Sequence, residues 1–111
     1  MSPFRFTTGA VYDGEWLDGQ RDGSGTQIWV DGAKYQGSWK KGKAEGIGKF
    51  IHPDGEIYHG QWKYDQANGF GIYLHTDGGK YIGDMKDDLS HGFGLEIWRD
   101  KSRYVGYYSL G

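Results

Sequence analysis

Cysteine is absent from this chain, and only 2 of its 111 residues are proline. The first absence excludes disulfides and thiolate metal sites. No apolar run reaches the length of a membrane-spanning helix or a signal peptide, so the expectation is a cytoplasmic protein. An excess of one charge is missing too. Lys and Arg number 13 against 15 Asp and Glu, a formal balance of −2. That balance gives no reason to expect nucleic acid or an anionic membrane as the main partner. Aliphatic residues are sparse, and no stretch sustains a helical period. What the chain has instead is glycine, at 21 residues, and aromatic rings, at 17%. That pairing does not build a thick globular core. It suits twisted strands in which large rings lie beside glycines, and the ring content argues against disorder despite the low hydropathy.

The rings recur on a fixed interval. Tyr-x-Gly begins at Tyr12, Tyr35, Tyr58, Tyr81 and Tyr104, each 23 residues after the one before. A constant period of this size marks a repeat array, and an array builds a surface. In register the copies read YDGEWLDGQRDGSGTQIWVDGAK (12–34), YQGSWKKGKAEGIGKFIHPDGEI (35–57), YHGQWKYDQANGFGIYLHTDGGK (58–80) and YIGDMKDDLSHGFGLEIWRDKSR (81–103). Residues 1–11 read as the closing half of an earlier copy, with Gly9 in register with Gly32. Residues 104–111 read as the start of a fifth, with Gly111 in register with Gly19. The expectation is one array over 1–111, and a piece of a longer one.

Each copy opens by alternating aromatic, polar, glycine, polar, aromatic. Tyr12, Gly14 and Trp16 therefore share one face of a strand, with Asp13 and Glu15 on the other. A link such as Leu17-Asp18-Gly19-Gln20 follows. A second strand opens on Gly-x-Gly, as at Gly23-Ser24-Gly25, and closes on Asp-Gly at Asp31-Gly32, Asp54-Gly55 and Asp77-Gly78. Asp-Gly between alternating strands is a strong hairpin signal. The reading is all-β: an antiparallel meander of about ten strands, near 50 Å long at roughly 4.8 Å per strand. Gly46 and Gly48 are expected to make room for Tyr35 and Trp39, so that the rings lie over backbone.

Two surfaces follow. The ring side also gathers Trp29, Phe50, Tyr73 and Trp98, together with His52 and His75. It reads as a groove for a partner peptide, with the first four as anchors. The competing reading is that the rings only hold the hairpins together. Trp29 and Trp98 lie outside the Tyr-x-Gly-x-Trp unit and so look free for contact. The other side carries Phe70, Ile72 and Leu74, then Phe93, Leu95 and Ile97. A single-layered sheet cannot cover these, so they read as a second, apolar interface for a partner or a homodimer.

The remaining chemistry is thin. Lys40, Lys41 and Lys43 cluster in one turn and are the one feature that suits acidic lipid head groups, although a solvated turn is the plainer reading. His52 and His75 stand two strands apart, roughly 10 Å, too far to hold one zinc ion together, and no metal or other cofactor is expected. Gly23-Ser24-Gly25 lacks the helix and the Gly-Lys-Ser/Thr element of a phosphate loop. The acidic residues follow the period, so no catalytic residue is assigned and no enzyme is expected.

Tyr-x-Gly-x-Trp, the three-spaced glycines, Gly-x-Gly and the closing Asp-Gly, all on a 23-residue period, resemble the MORN (membrane occupation and recognition nexus) repeat. The resemblance runs over nearly all of 1–111. It implies a single-layered, twisted antiparallel ribbon with an aromatic-lined groove. It also implies a non-enzymatic protein-interaction module or scaffold in a cytoskeletal, ciliary or membrane-associated assembly. A phospholipid-binding or membrane-apposing module is one alternative, and an accessory segment of a larger enzyme is another. The chain departs from the pattern at Met85 and Tyr108 in place of Trp, at Asp65 and Asp88 in place of the link glycine, and at Lys101 in place of the closing glycine. By this reading the array degrades towards its C-terminus.

Overall fold

Period-two alternation broken by frequent turns gives ten strands in the computed structural model, which describes residues 3–109. Gly111, and with it the register with Gly19, lies outside the described residues. The strands are β1 (Phe4–Arg5), β2 (Val11–Leu17), β3 (Gln20–Ile28), β4 (Lys34–Lys40), β5 (Lys43–Ile51), β6 (Ile57–Lys63), β7 (Gln66–Leu74), β8 (Lys80–Lys86), β9 (Leu89–Ile97) and β10 (Arg103–Tyr108). They form one antiparallel sheet in chain order, with no crossover and no helix among the described residues. The ribbon measures 46 × 24 × 19 Å, close to the length expected from strand spacing.

Two kinds of turn alternate along it. Asp18-Gly19, Lys41-Gly42, Tyr64-Asp65 and Asp87-Asp88 are two-residue turns with both residues at positive φ, from 49° to 82°. This is the twist that suits the tightest hairpins. The Asp-Gly hairpins are wider than that dipeptide suggests. At the first, Trp29 N–H donates to the Ala33 carbonyl and Gly32 N–H donates to the Trp29 carbonyl. The Asp31 carboxylate accepts from Ala33 N–H at 2.9 Å, and Asp54, Asp77 and Asp100 repeat the contact one period apart. The fourth turn keeps its shape with Lys101 at φ 71°. The lost glycine costs strain of roughly 1–2 kcal/mol but not the hairpin.

Packing explains the second glycine of each Gly-x-Gly. Tyr12, Tyr35, Tyr58 and Tyr81 are buried. Each ring lies over the glycine of the next strand. A Cβ on Gly25, Gly48, Gly71 or Gly94 would sit 2.1–2.5 Å from the phenol oxygen, which no side chain tolerates. The phenol then donates to a carbonyl three residues on, as Tyr12 does to Glu15 at 2.7 Å and Tyr81 to Asp84 at 2.7 Å. A fully buried ring of ~150–250 Å² contributes roughly 4–6 kcal/mol gross, an upper bound.

The first glycine does something else, which corrects the expectation for Gly46. It has φ +92°, and a Cβ there would point at Ser38 rather than under Trp39. It marks a bulge. The register slips between Gly14 and Trp16, and again at Gly37/Trp39, Gly60/Trp62 and Gly83/Met85. The unpaired backbone at two of these bulges is held by a side chain. Glu15 accepts from Ser24 N–H, and Gln61 from Phe70 N–H, each at 2.6 Å.

Candidate functional site: the aromatic groove

Tyrosines and tryptophans alternate along the ribbon as one edge-to-face stack. Tyr12 meets Trp39 at 5.6 Å, Trp39 meets Tyr35 at 4.9 Å, Tyr35 meets Trp62 at 5.2 Å and Trp62 meets Tyr58 at 5.4 Å. Such contacts add ~0.5–1.5 kcal/mol each beyond area burial. The indoles are pinned as well. Trp39 Nε1 donates to the Gly25 carbonyl and Trp62 Nε1 to the Gly48 carbonyl, each at 3.0 Å. This inner tier is scaffold.

A second tier of rings stands beside it. Trp29 meets Phe50 at 5.7 Å, Phe50 meets His52 at 4.7 Å, His52 meets Tyr73 at 5.8 Å and Tyr73 meets His75 at 4.9 Å. All five are half-buried. Between the tiers lie two open recesses. One, about 290 Å³, is lined by Trp29, Phe50, Trp62, Ala44 and Asp65 together with Arg21, Gln27, Tyr35 and Trp39. The other, about 330 Å³, is lined by His52, Tyr73, Met85, Ala67 and Asp88 together with Phe50, Tyr58, Trp62 and Asp65. The structure thus joins three of the four expected anchors, Trp29, Phe50 and Tyr73, into one surface. Trp29 is part of the packed row rather than a free ring. Trp98 stands apart, exposed at the last wide turn with Asp77, Arg99, Asp100 and Ser102.

Electrostatics on this face is set by carboxylates. Glu56 accepts from the Tyr73 hydroxyl at 2.7 Å and lies 3.2 Å from His75 Nδ1. The Tyr73 bond first, and His75 second, hold its carboxyl below the usual range. Burial, aided by the same bond, pushes the Tyr73 phenol up. In the inner tier burial pushes Tyr58 up to about 12 and raises Tyr35 further, with Asp65 adding to the second.

Asp65 and Asp88 are the residues that sequence reasoning misjudged. They are not signs of decay. Each sits at left-handed φ, 67° and 69°, where Asp is tolerated. Each accepts from the backbone of the preceding repeat: Asp65 from Ala44 N–H and Asp88 from Ala67 N–H, both at 2.7 Å. The paired return bonds, Asp65 N–H to the Ala44 carbonyl and Asp88 N–H to the Ala67 carbonyl, are each 3.1 Å. These clasps join neighbouring hairpins at their tips. The signal that could have found them is positional, since Asp replaces glycine at one register position in two successive copies.

The other predicted residues fall as follows. Phe70, Ile72, Leu74, Phe93, Leu95 and Ile97 do share the opposite face. Phe70 and Phe93 are about half exposed, at 54% and 51%. Lys40 and Lys43 flank one tight turn and Lys41 is its first residue, but Lys43 is drawn to Asp65 at 3.6 Å. No group of three potential metal ligands comes together among the described residues.

Comparison with curated proteins found no match. The MORN repeat model matches the chain four times in succession, at 12–34, 35–57, 58–80 and 81–103. These are the boundaries set by the tyrosine period, and they cover most of the sheet that carries the groove. The chain belongs to the MORN repeat family, whose repeats form modules tied to protein or membrane interaction.

Proposed function

We propose that this ribbon is a non-enzymatic protein-interaction module, a scaffold whose aromatic groove receives a segment of a partner protein. One observation carries the reading: a row of rings from Trp29 to His75 stands half-buried above two recesses that no side chain among the described residues fills. The Tyr12 and Tyr35 rings, by contrast, are buried on every side. Cytoskeletal, ciliary and membrane-associated assemblies are the settings such a scaffold suits. A second surface, the apolar C-terminal part of the opposite face, supports self-association, because large side chains there meet solvent and none of the described residues is laid over them.

The test is affinity capture with the chain and with a Phe50→Ser, Tyr73→Ser variant, alongside thermal unfolding of both. Loss of a captured protein from a variant that still unfolds cooperatively is the expected result. Trp98→Ala, at the isolated turn, should capture as the parent does. Retention of every partner by the double variant would overturn the groove assignment. Binding to phosphatidylserine vesicles at physiological salt, lost on changing Lys40, Lys41 and Lys43 to Gln, would instead favour the membrane reading.

A further inference from the structure

The first repeat carries its own occupant. Arg21 holds the register position taken by Ala44 and Ala67 in the next two repeats. Its guanidinium lies 4.6 Å from the centre of the Trp39 ring and 5.8 Å from that of Phe6. It donates to the Gly42 carbonyl at 2.7 Å and to Gln27 Oε1. Shifting that set by one repeat gives Ala44, Trp62, Trp29, Asp65 and Phe50, all of which line the 290 Å³ recess. A second shift gives Ala67, Met85, His52, Asp88 and Tyr73, all of which line the 330 Å³ recess. Alanine stands in the place of the arginine in both. The carbonyl-bearing glycine that receives it, Gly42, has become a carboxylate in both. The filled site of repeat 1 is the template for two unfilled ones, and each unfilled one has gained the charge that a cation wants.

We infer that the groove selects a partner segment bearing two arginine side chains about 10 Å apart, one entering the recess at Ala44 and one the recess at Ala67. The spacing is that of two strands, at ~4.8 Å each. An extended segment covers it in three residues at about 3.1 Å each, and a helix in seven at about 1.5 Å. Arginine fits better than lysine because its planar group both stacks on a ring and bonds a carboxylate side-on. This inference rests on the groove being a peptide surface and names what the peptide carries.

The two recesses are not equal. At Ala44 the guanidinium would stack on Trp62, but Lys43 already leans on Asp65 at 3.6 Å and Arg21 borders the same recess. At Ala67 the wall is Met85 rather than Trp, while Asp88 has no cationic partner among the described residues. Aromatic attraction favours the first recess and net charge the second.

The experiment is selection of a random twelve-residue peptide library on the intact chain, followed by affinities for three variants. Asp65→Asn with Asp88→Asn keeps the oxygens that accept from Ala44 and Ala67 and removes only the charge. Ala44→Arg with Ala67→Arg rebuilds the repeat 1 arrangement and fills both recesses. Phe50→Ser with Tyr73→Ser removes the outer rings. Selected peptides are expected to carry paired arginines. Each Arg-to-citrulline exchange in the peptide should weaken binding about tenfold, and the paired Asp→Asn change by at least as much. Filling with Ala44→Arg and Ala67→Arg should abolish binding. Peptides that need Phe50 and Tyr73 yet lack basic residues, or ignore the Asn variant, would overturn the arginine inference and leave the groove reading intact. Peptides indifferent to the Phe50/Tyr73 variant, or no peptides at all, would overturn both. If the arginine-filled variant fails to fold, the citrulline and Asn arms still decide.

Discussion

Follow one row of paired residues across the face opposite the rings. In β2 to β6 it reads Asp13, Thr26, Gln36, Lys49, His59. In β7 to β10 it reads Ile72, Ile82, Leu95, Val105. Backbone, register and turns are alike on both sides of the change. The ring face shifts over the same span, from Trp39 and Trp62 to Met85 and Tyr108. What stays constant is what the backbone needs: the tyrosine, the glycine two residues after it, the glycine beneath its ring, the bulge glycine and the turn aspartate. Everything else is free to vary, so the two halves are one fold with two surfaces. Recognition in such a ribbon is written in the positions that the repeat does not fix.

The sharpest way to break that comparison is energetic. Trp39 is 4% exposed, held between Tyr12 and Tyr35, and hydrogen-bonded through its indole. Met85 occupies the same register position at 8% exposure and offers no donor. Trp39→Ala is expected to cost about 3–5 kcal/mol and Met85→Ala about 2–3, measured by urea unfolding. Each repeat touches mainly its neighbours, so the loss should stay near its site. Equal costs would mean that the C-terminal stack is as firmly built as the N-terminal one.

A second, smaller difference lies under the tyrosines. A Cβ on Gly48 would stand 2.1 Å from the Tyr35 oxygen, and one on Gly94 2.5 Å from that of Tyr81. Gly48→Ala should cost about 2–3 kcal/mol by overpacking, and Gly94→Ala somewhat less. Gly78→Ala, in open space at φ +95°, should cost only the conformational strain of about 1–2 kcal/mol. If all three lose the same stability, steric room beneath the ring is not what the second glycine supplies.

Much of this was legible in the sequence because the period is unbroken. Strand number and order and the ring-bearing face follow from that period taken with the alternation, the links and the closing Asp-Gly. Three things did not follow. A bulge looks like ordinary alternation in sequence, so Gly46 read as a ring platform when its φ makes it a kink. Asp65 and Asp88 read as losses because a consensus records glycine there, while their worth lies in contacts 21 residues away. The groove was legible as a set of rings. Its recesses were not, since they arise from alanines at Ala44 and Ala67, which carry no motif.

Alkali should probe the burial of single rings more gently. Above pH ~10 the tyrosines of an unfolded chain release protons. Tyr58, pushed up to about 12 by burial, and Tyr35, raised further, keep theirs in the folded ribbon. The folded state then holds more protons, so stability is full below pH ~10 and falls as pH rises towards 12. The expected slope is about 1 kcal/mol per pH unit for each such tyrosine. Tyr35→Phe should flatten the fall more than Tyr81→Phe, since Tyr81 is raised less by its burial. Identical limbs for the two variants would mean that Tyr35 and Tyr81 are equally shielded in the folded ribbon.

The smallest expected change in stability tests the largest difference in surface. Leu95 stands two repeats after Lys49, and Phe93 two repeats after the exposed Ile47. Leu95→Lys therefore gives the C-terminal half what the second repeat already tolerates at the same place. Phe93 is 51% exposed and touches Tyr107 at 5.3 Å, so Phe93→Lys gives up one outer ring contact and little burial. The pair should shift unfolding by no more than about 1 kcal/mol, the range of two surface changes. Its effect on assembly should be much larger. Two lysines set among Ile72, Ile82 and Val105 would have to be desolvated in any apolar contact between copies, a cost of several kcal/mol. Sedimentation velocity should show the parent associating with rising concentration and the double variant remaining a monomer. A parent that stays monomeric while the variant keeps every partner would strip this face of a binding role, and the row from Ile72 to Val105 would then need a reason other than contact.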